Sequence, residues 1–206
     1  MNRLLAALIP AAVLAAAGCT PQPPVAIRRV AEEHTLEAEP GWEPPVAMAK
    51  WDYIIVHHSA TRSGGARSFD KYHRENRGWE NGLGYHFVIG NGTHTSDGRV
   101  EIGARWMRQI TGAHVGGRKN IGKIGICLVG NFDQDEPSAK QMKSLGRLIE
   151  FLQIRCGIPA SRVCGHCEVV REGYTHCPGH NFSMSKLREG LLREPPPYHA
   201  ANVRYR

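Results

Sequence analysis

Residues 54–61 read Ile54-Ile55-Val56-His57-His58-Ser59-Ala60-Thr61, "IIVHHSAT", three apolar β-formers running straight into two histidines. A short β-branched run that ends at polar turn residues predicts a strand, here Tyr53–His57. Neighbouring side chains on a strand point to opposite faces, so a site on one side of the sheet recruits only one of the two histidines. Further strands are predicted at Gly84–Ile89, Arg99–Ile102 and Lys123–Val129, bounded by Gly or Asn turns such as "GNGT". Helical patterns lie between and after them. One opens near Ser68 ("SFDKYHREN") and stops at Gly78, a residue suited to the left-handed position past a helix end. The clearest starts at Ser138, which forms a capping box with Gln141, and carries Met142, Leu145, Leu148, Ile149 and Leu152 on one stripe before "GIP". A last helix follows Ser183 or Ser185, with Met184, Leu187 and Leu191 inward. Strands interleaved with helices predict a single α/β domain, a central mixed β-sheet flanked by helices.

The chain ends carry a different signal. Arg3 precedes an apolar run from Leu4 to Ala17, within the roughly 7–15 residues of an export signal and short of the ~20 needed to span a bilayer. Ala16-Ala17-Gly18-Cys19 resembles the lipobox of bacterial lipoproteins, with Ala where Leu is usual. The expected organisation is a lipoprotein signal peptide over 1–18, a Pro/Glu-rich tether over 19–49 ("TPQPPV", "EAEPGWEPPV"), the domain over 50–192 and a loose tail over 193–206. Cys19 is the expected lipidation site, which places the protein at the cell envelope, membrane-anchored through acyl chains; soluble secretion after cleavage near Ala17 is the alternative.

The 26 Lys+Arg against 19 Asp+Glu give a net charge of +7. That balance suits polyanionic partners, acidic cell-wall polymers among them, and equally a solvated basic face. No nucleic-acid partner is expected, and the expected state is a monomer.

Eleven histidines and six cysteines in an exported chain invite two explanations, disulfides and metal. Their dense cluster is "CGHCEVVREGYTHCPGH", with Cys164, His166, Cys167, His176, Cys177 and His180. Cys164, Cys167, Cys177 and His180 have the spacing of a structural zinc knot. A redox pair at Cys164/Cys167 is a second reading, without the strand-then-helix context of such motifs. A catalytic zinc site needs instead three protein ligands and one open position, and a histidine at the end of a buried strand is a rigid distant ligand for it.

Taken in order, "IIVHHSAT", "GLGYHFVIGNGT", "GRVEIGARW", "TGAHV", "NIGKIGICLVGNF", "QMKSLGRLIEFL" and "CGHCEVVREGYTHCPG" resemble the zinc-dependent N-acetylmuramoyl-L-alanine amidases, the family of phage lysozyme-like amidases and animal peptidoglycan recognition proteins. The likeness spans about Trp51 to Phe182. It implies that fold, a zinc ion, and a peptidoglycan or muropeptide substrate cut between N-acetylmuramic acid and L-alanine. The ligands implied are His57, His166 and Cys177, with His58 a packing residue. Ten residues separate His166 from Cys177, more than in many relatives, and His176 is the neighbouring substitute ligand. Tyr85 matches the family's catalytic tyrosine, and Thr175 a catalytic position held by Lys in phage enzymes. His114 matches a histidine lining the substrate cleft. Cys127 stands where cytoplasmic recycling amidases carry a Glu base. Family members that lack the cysteine ligand bind without cutting. Basic residues of "GGRKN" and "GARWMR" are candidates for stem-peptide carboxylates, and His86 for packing. Of the remaining cysteines, Cys127, Cys156, Cys164 and Cys167, the bridge Cys156–Cys164 is preferred for the short link between them.

Overall fold

The computed structural model describes residues 36–199 and 203–205. The expected signal peptide, Cys19 and most of the tether lie outside the described residues.

The chain forms β1 (Leu36–Ala38), β2 (Tyr53–His58), α1 (Ala66–Arg77), β3 (Phe87–Ile89), β4 (Val100–Ile102), α2 (Ala104–Met107), β5 (Lys123–Leu128), α3 (Ala139–Cys156), β6 (Val163–Gly165), α4 (His166–Val169), α5 (Met184–Glu189) and β7 (Val203–Tyr205). Five strands make one mixed sheet in the order β4-β3-β5-β2-β6, in which only β3 and β4 run antiparallel. This is the α/β architecture the sequence predicts.

Alternation along β2 sorts its side chains. Ile54 and Val56 enter the larger core, packed with Leu145, Leu148, Ile149 and Leu152 of α3 and with Met184 and Leu187 of α5. On the opposite face Val88 and Cys127 cluster with Leu83 and Val129, against which Phe69 of α1 and Tyr85 pack. His57 is registered with Cys127 across β2 and β5, so it belongs to this second face. The predicted capping box holds: Ser138 Oγ accepts from Gln141 N at 3.0 Å and Ser138 N donates to Gln141 Oε1 at 3.1 Å. Gly78 and Gly157 close α1 and α3 at φ 64° and 69°, left-handed positions that glycine adopts without a Cβ penalty.

Several expectations need correction. The first helix begins at Ala66, two residues before Ser68, because the Glu101 carboxylate accepts the Ala66 N–H at 3.0 Å. The strand foreseen over Gly84–Ile89 starts at Phe87, since Gly84 O receives the Ala113 N–H from a loop instead. β6 escapes a reading of the sequence because "VCG" is too short to show periodicity.

The tether does not remain free up to Ala49. β1 pairs in parallel with β7, and Trp42 is 1% exposed, its carbonyl accepting the Trp106 indole N–H at 2.7 Å. Glu39 and Glu43 meet Arg147 and Arg155 of α3 at 3.3 and 2.9 Å. The tail is likewise not loose, for Tyr198 donates its hydroxyl to Glu43 at 2.9 Å. Proline and glutamate composition hid one buried tryptophan that anchors the segment.

Cys156 and Cys164 are both free. Cys156 packs on the α3 side of the sheet, where Val163 also points, so its neighbour Cys164 faces the other way. A sheet stands between the two thiols.

Candidate metal centre

In open α/β sheets, sites form beyond the carboxyl ends of parallel strands. β2 ends in His57 and His58, and the adjacent strand β6 runs directly into His166, the first residue of α4. Cys177 comes from the following loop. Its carbonyl accepts the Cys167 N–H at 2.7 Å, so the two late segments are tied side by side. Gly165 lets them close, since a Cβ there would stand 2.9 Å from Pro178 Cδ.

The result is a three-residue cluster. His57, His166 and Cys177 each present one donor atom, and all three atoms lie within 4.8 Å of one another. Cys177 Sγ is 3.6 Å from His57 Nδ1, and the rings of His57 and His166 are 4.6 Å apart. His176, the substitute considered for the third position, lies instead in a separate group with Asp133 and His180. The zinc-knot reading fails on the same geometry, because Cys177 and His180 fall in different groups and Cys164 and Cys167 in neither.

His58 does a different job. Its Nδ1 accepts the Phe132 N–H at 3.0 Å, and its own backbone N–H points at Cys177 Sγ at 3.4 Å. The side chain holds the loop after β5, and the main chain holds the sulfur.

Electrostatics agree with a cation-binding pocket. Burial first, then His166 and His58, holds the His57 imidazole well below its ordinary range, so it is neutral. Burial also lowers His166, with the nearby His114 main chain working the other way. Burial pushes the Cys177 thiol up to about 12, with the His58 N–H opposing. Two neutral imidazoles and a buried thiol are a donor set without an internal counter-charge, which a soft-to-borderline dication satisfies. His57 Nε2 and both ring nitrogens of His114 are buried with no hydrogen-bond partner among the described residues.

Tyr85 packs 5.2 Å from the His57 ring. Burial raises its phenol well above the ordinary value, and the neighbouring Cys127 and Cys177 add to the shift. Thr175 Oγ1 accepts the Cys177 N–H at 3.1 Å, which fixes the turn before the sulfur. His114 is buried beside the centre, its ring 5.2 Å from that of His57. Gly112 and Gly125 cradle it, since a Cβ on either would come within about 2 Å of the imidazole. His86 is a structural residue: Nδ1 accepts from Gly125 N at 2.9 Å, Nε2 pairs with Ile110 O at 3.0 Å, and burial lowers its pKa to about 3. Arg105 of "GARWMR" is buried on the carbonyls of Leu83 and Thr111 and is not a substrate contact.

A cavity of about 650 Å³ opens onto His166 and Tyr85, walled by Phe69, Tyr72, His73 and Trp79. A second of about 340 Å³ lies against His114, Lys119 and Arg171 and shares His166 and Tyr174 with the first. Sequence reasoning missed these walls. His73 stacks on Trp79 at 4.7 Å, and the one signal was an aromatic among turn residues, "RGWENG". Cys127, a small buried residue of β5, belongs to the cluster against which Tyr85 packs.

A sequence model of the Amidase_2 family, described as N-acetylmuramoyl-L-alanine amidase, matches residues 47–180. The chain belongs to this family. Similar proteins include a pig N-acetylmuramoyl-L-alanine amidase, 29% identical over 139 residues, 62% of this chain and 21% of that one. Another is a peptidoglycan-recognition protein of Drosophila melanogaster, 35% identical over 116 residues, 56% of this chain and 57% of that one. The chain thus spans about a fifth to three-fifths of the length of the curated relatives it matches. Among solved structures, the endolysin amidase LysCS of Clostridium intestinale superposes with a TM-score of 0.58 at 28% identity, covering 75% of this chain and 92% of that one. Drosophila PGRP-LB, solved with tracheal cytotoxin, shares the fold at a TM-score of 0.52 and 24% identity, covering 75% and 95%. The amidase-family match encloses the whole three-donor cluster, from β2 to Cys177.

Proposed function

We propose that this family member is a zinc-dependent N-acetylmuramoyl-L-alanine amidase. It hydrolyses the amide joining the lactyl group of N-acetylmuramic acid to L-alanine, and it works outside the cytoplasm, held to a membrane by acyl chains on Cys19. The observation that carries the reading is the convergence of His57, His166 and Cys177, of which His166 opens, with Tyr85, onto the larger cavity.

Zinc, when bound, supplies a Lewis acid and a means of activating water at neutral pH. The residues of the chain do the rest. The main chain of His57 is fixed by strand pairing, and that of His166 by its place at the end of β6 and the start of α4, so both neutral imidazoles are held beside each other. The Tyr85 phenol stays protonated at neutral pH and is placed to donate to the oxyanion that develops on the substrate carbonyl. Neutral Thr175 positions the cysteine, and its hydroxyl adds no charge to the site. Neutral His114 borders the smaller cavity and packs its ring against that of His57, so it backs the centre from behind. The aromatic rim, Trp79, Tyr72 and Tyr174, offers faces for sugar rings and the stem peptide.

The export signal and Cys19 support the location. Among the described residues no helix is long and apolar enough to cross a membrane, and an acyl anchor needs none.

A recognition module that binds peptidoglycan without cutting is the rival, and several similar proteins are named as recognition proteins. The sulfur beside two imidazoles favours the enzyme. Purified sacculi incubated with the protein separate the readings. Release of free stem peptide that stops with chelator and resumes with zinc is expected. Binding to sacculi with no release would establish the module instead.

A further inference from the structure

The second His-rich cluster has no part in the chemistry above. Asp133, His176 and His180 present one donor atom each, again within 4.8 Å of one another, and all three residues are exposed. Their placement is built by the backbone rather than by chance contact of long side chains. The turn from His176 to His180 is closed by the Gly179 N–H donating to His176 O at 2.7 Å. It lies directly on the loop after β5: Asn181 N donates to Phe132 O at 2.8 Å and His180 N to Asp133 Oδ1 at 3.0 Å. Gly179 makes the approach possible. Its φ of 116° is open to glycine, and a Cβ there would stand 2.4 Å from the Phe132 carbonyl carbon. The two imidazole rings meet at 4.1 Å between centroids, and Asp133 keeps acceptor capacity beyond the single N–H it receives.

We propose that Asp133, His176 and His180 form a second, outer site for a first-row transition dication of the zinc, cobalt, nickel or copper type. Two imidazoles and one carboxylate select these ions over calcium and magnesium, which take oxygen ligands. Three protein donors on an exposed turn leave at least one position to solvent, so the site is weaker and more exchangeable than the inner one. Its effect on the fold is a clip. The ion joins the turn that carries Cys177 to the loop whose Phe132 N–H is held by His58, so occupancy stiffens the frame around the inner sulfur without touching it. The inference stands on a different set of residues from the proposed catalytic centre and survives or fails separately from it.

Cobalt(II) titration of the metal-stripped full chain tests it, because only the inner site contains sulfur. Two equivalents are expected, one with a thiolate-to-cobalt charge-transfer band and one with ligand-field absorption alone. His180→Ala and Asp133→Asn are each expected to remove the sulfur-free equivalent and to keep the charge-transfer band, and Asp133→Asn retains the acceptor for the His180 N–H. His57→Ala is expected to do the opposite. A single equivalent that carries the charge-transfer band in the unsubstituted chain, or a sulfur-free equivalent that persists in both outer variants, overturns the outer site. Loss of the charge-transfer equivalent alone, with the sulfur-free one intact, would count against the inner centre and leave the outer site standing.

Discussion

Cys177 Sγ stands 3.6 Å from His57 Nδ1, two atoms from residues 120 positions apart in the chain. The backbone N–H of His58 approaches the same sulfur at 3.4 Å, so adjacent histidines serve one centre through different groups. Substitution separates these roles. His57→Ala is expected to strip the metal and the activity with it. His58→Ala is expected to retain metal at saturating zinc and to lose about 1–3 kcal/mol of stability, because the Phe132 N–H is left buried without its acceptor. Metal content by atomic spectroscopy alongside chemical denaturation reads both, and equal metal loss in the two variants would contradict the assignment.

Tyr85→Phe removes one hydroxyl from a side chain whose ring contacts persist. Fold and zinc stoichiometry are expected to stay, while kcat on a muropeptide falls by about 10²–10³, the usual cost of deleting one oxyanion donor. Single-turnover kinetics at saturating substrate check it. An unchanged rate would return Tyr85 to the role of a packed aromatic.

Zinc uptake is predicted to release at least one proton at pH 7. Burial pushes the Cys177 thiol up to about 12, so it enters binding protonated, whereas the lowered histidines are already neutral and release none. Apparent affinity therefore rises by at least about tenfold per pH unit near neutrality. Calorimetry in buffers of differing ionisation enthalpy counts the protons, and a count near zero would mean that the thiol does not coordinate.

His86 predicts acid sensitivity of the fold. Its pKa is lowered from 6.5 to about 3 by burial. A histidine depressed in the native state gives the unfolded chain the greater proton uptake below 6.5, so stability is full above that pH and falls between it and about 3. The slope for this one group is about 1.4 kcal/mol per pH unit. Urea midpoints at pH 7 and pH 5 should differ by at least the equivalent of about 2 kcal/mol, and identical midpoints would contradict a neutral, doubly bonded imidazole.

The segment before β2 is predicted to be part of the folding unit. Trp42→Ala empties a site that is 1% exposed, between Phe151 and Arg147, and should cost about 3–5 kcal/mol. Deletion through Pro45 should destabilise at least as much. A deletion variant that melts with the parent would restore the reading of a free tether.

The sheet, the long capped helix and the family are legible in the chain because each rests on local rules or ordered motifs. β-Branched runs, the Ser138/Gln141 box and glycine stops act within a few residues, and alternation along β2 already divides His57 from His58. Which donors share a centre is settled by the folded arrangement alone. "CGHCEVVREGYTHCPGH" holds six candidate ligands, and a pattern along the chain does not say that Cys177 turns inward to His57 while His176 and His180 turn outward to Asp133. Burial by distant segments likewise decided the fate of Trp42, the solitude of Cys156 and the packing of Tyr85 against Cys127. Such contacts join residues far apart in the chain, and their energies come from packing that no local stretch encodes.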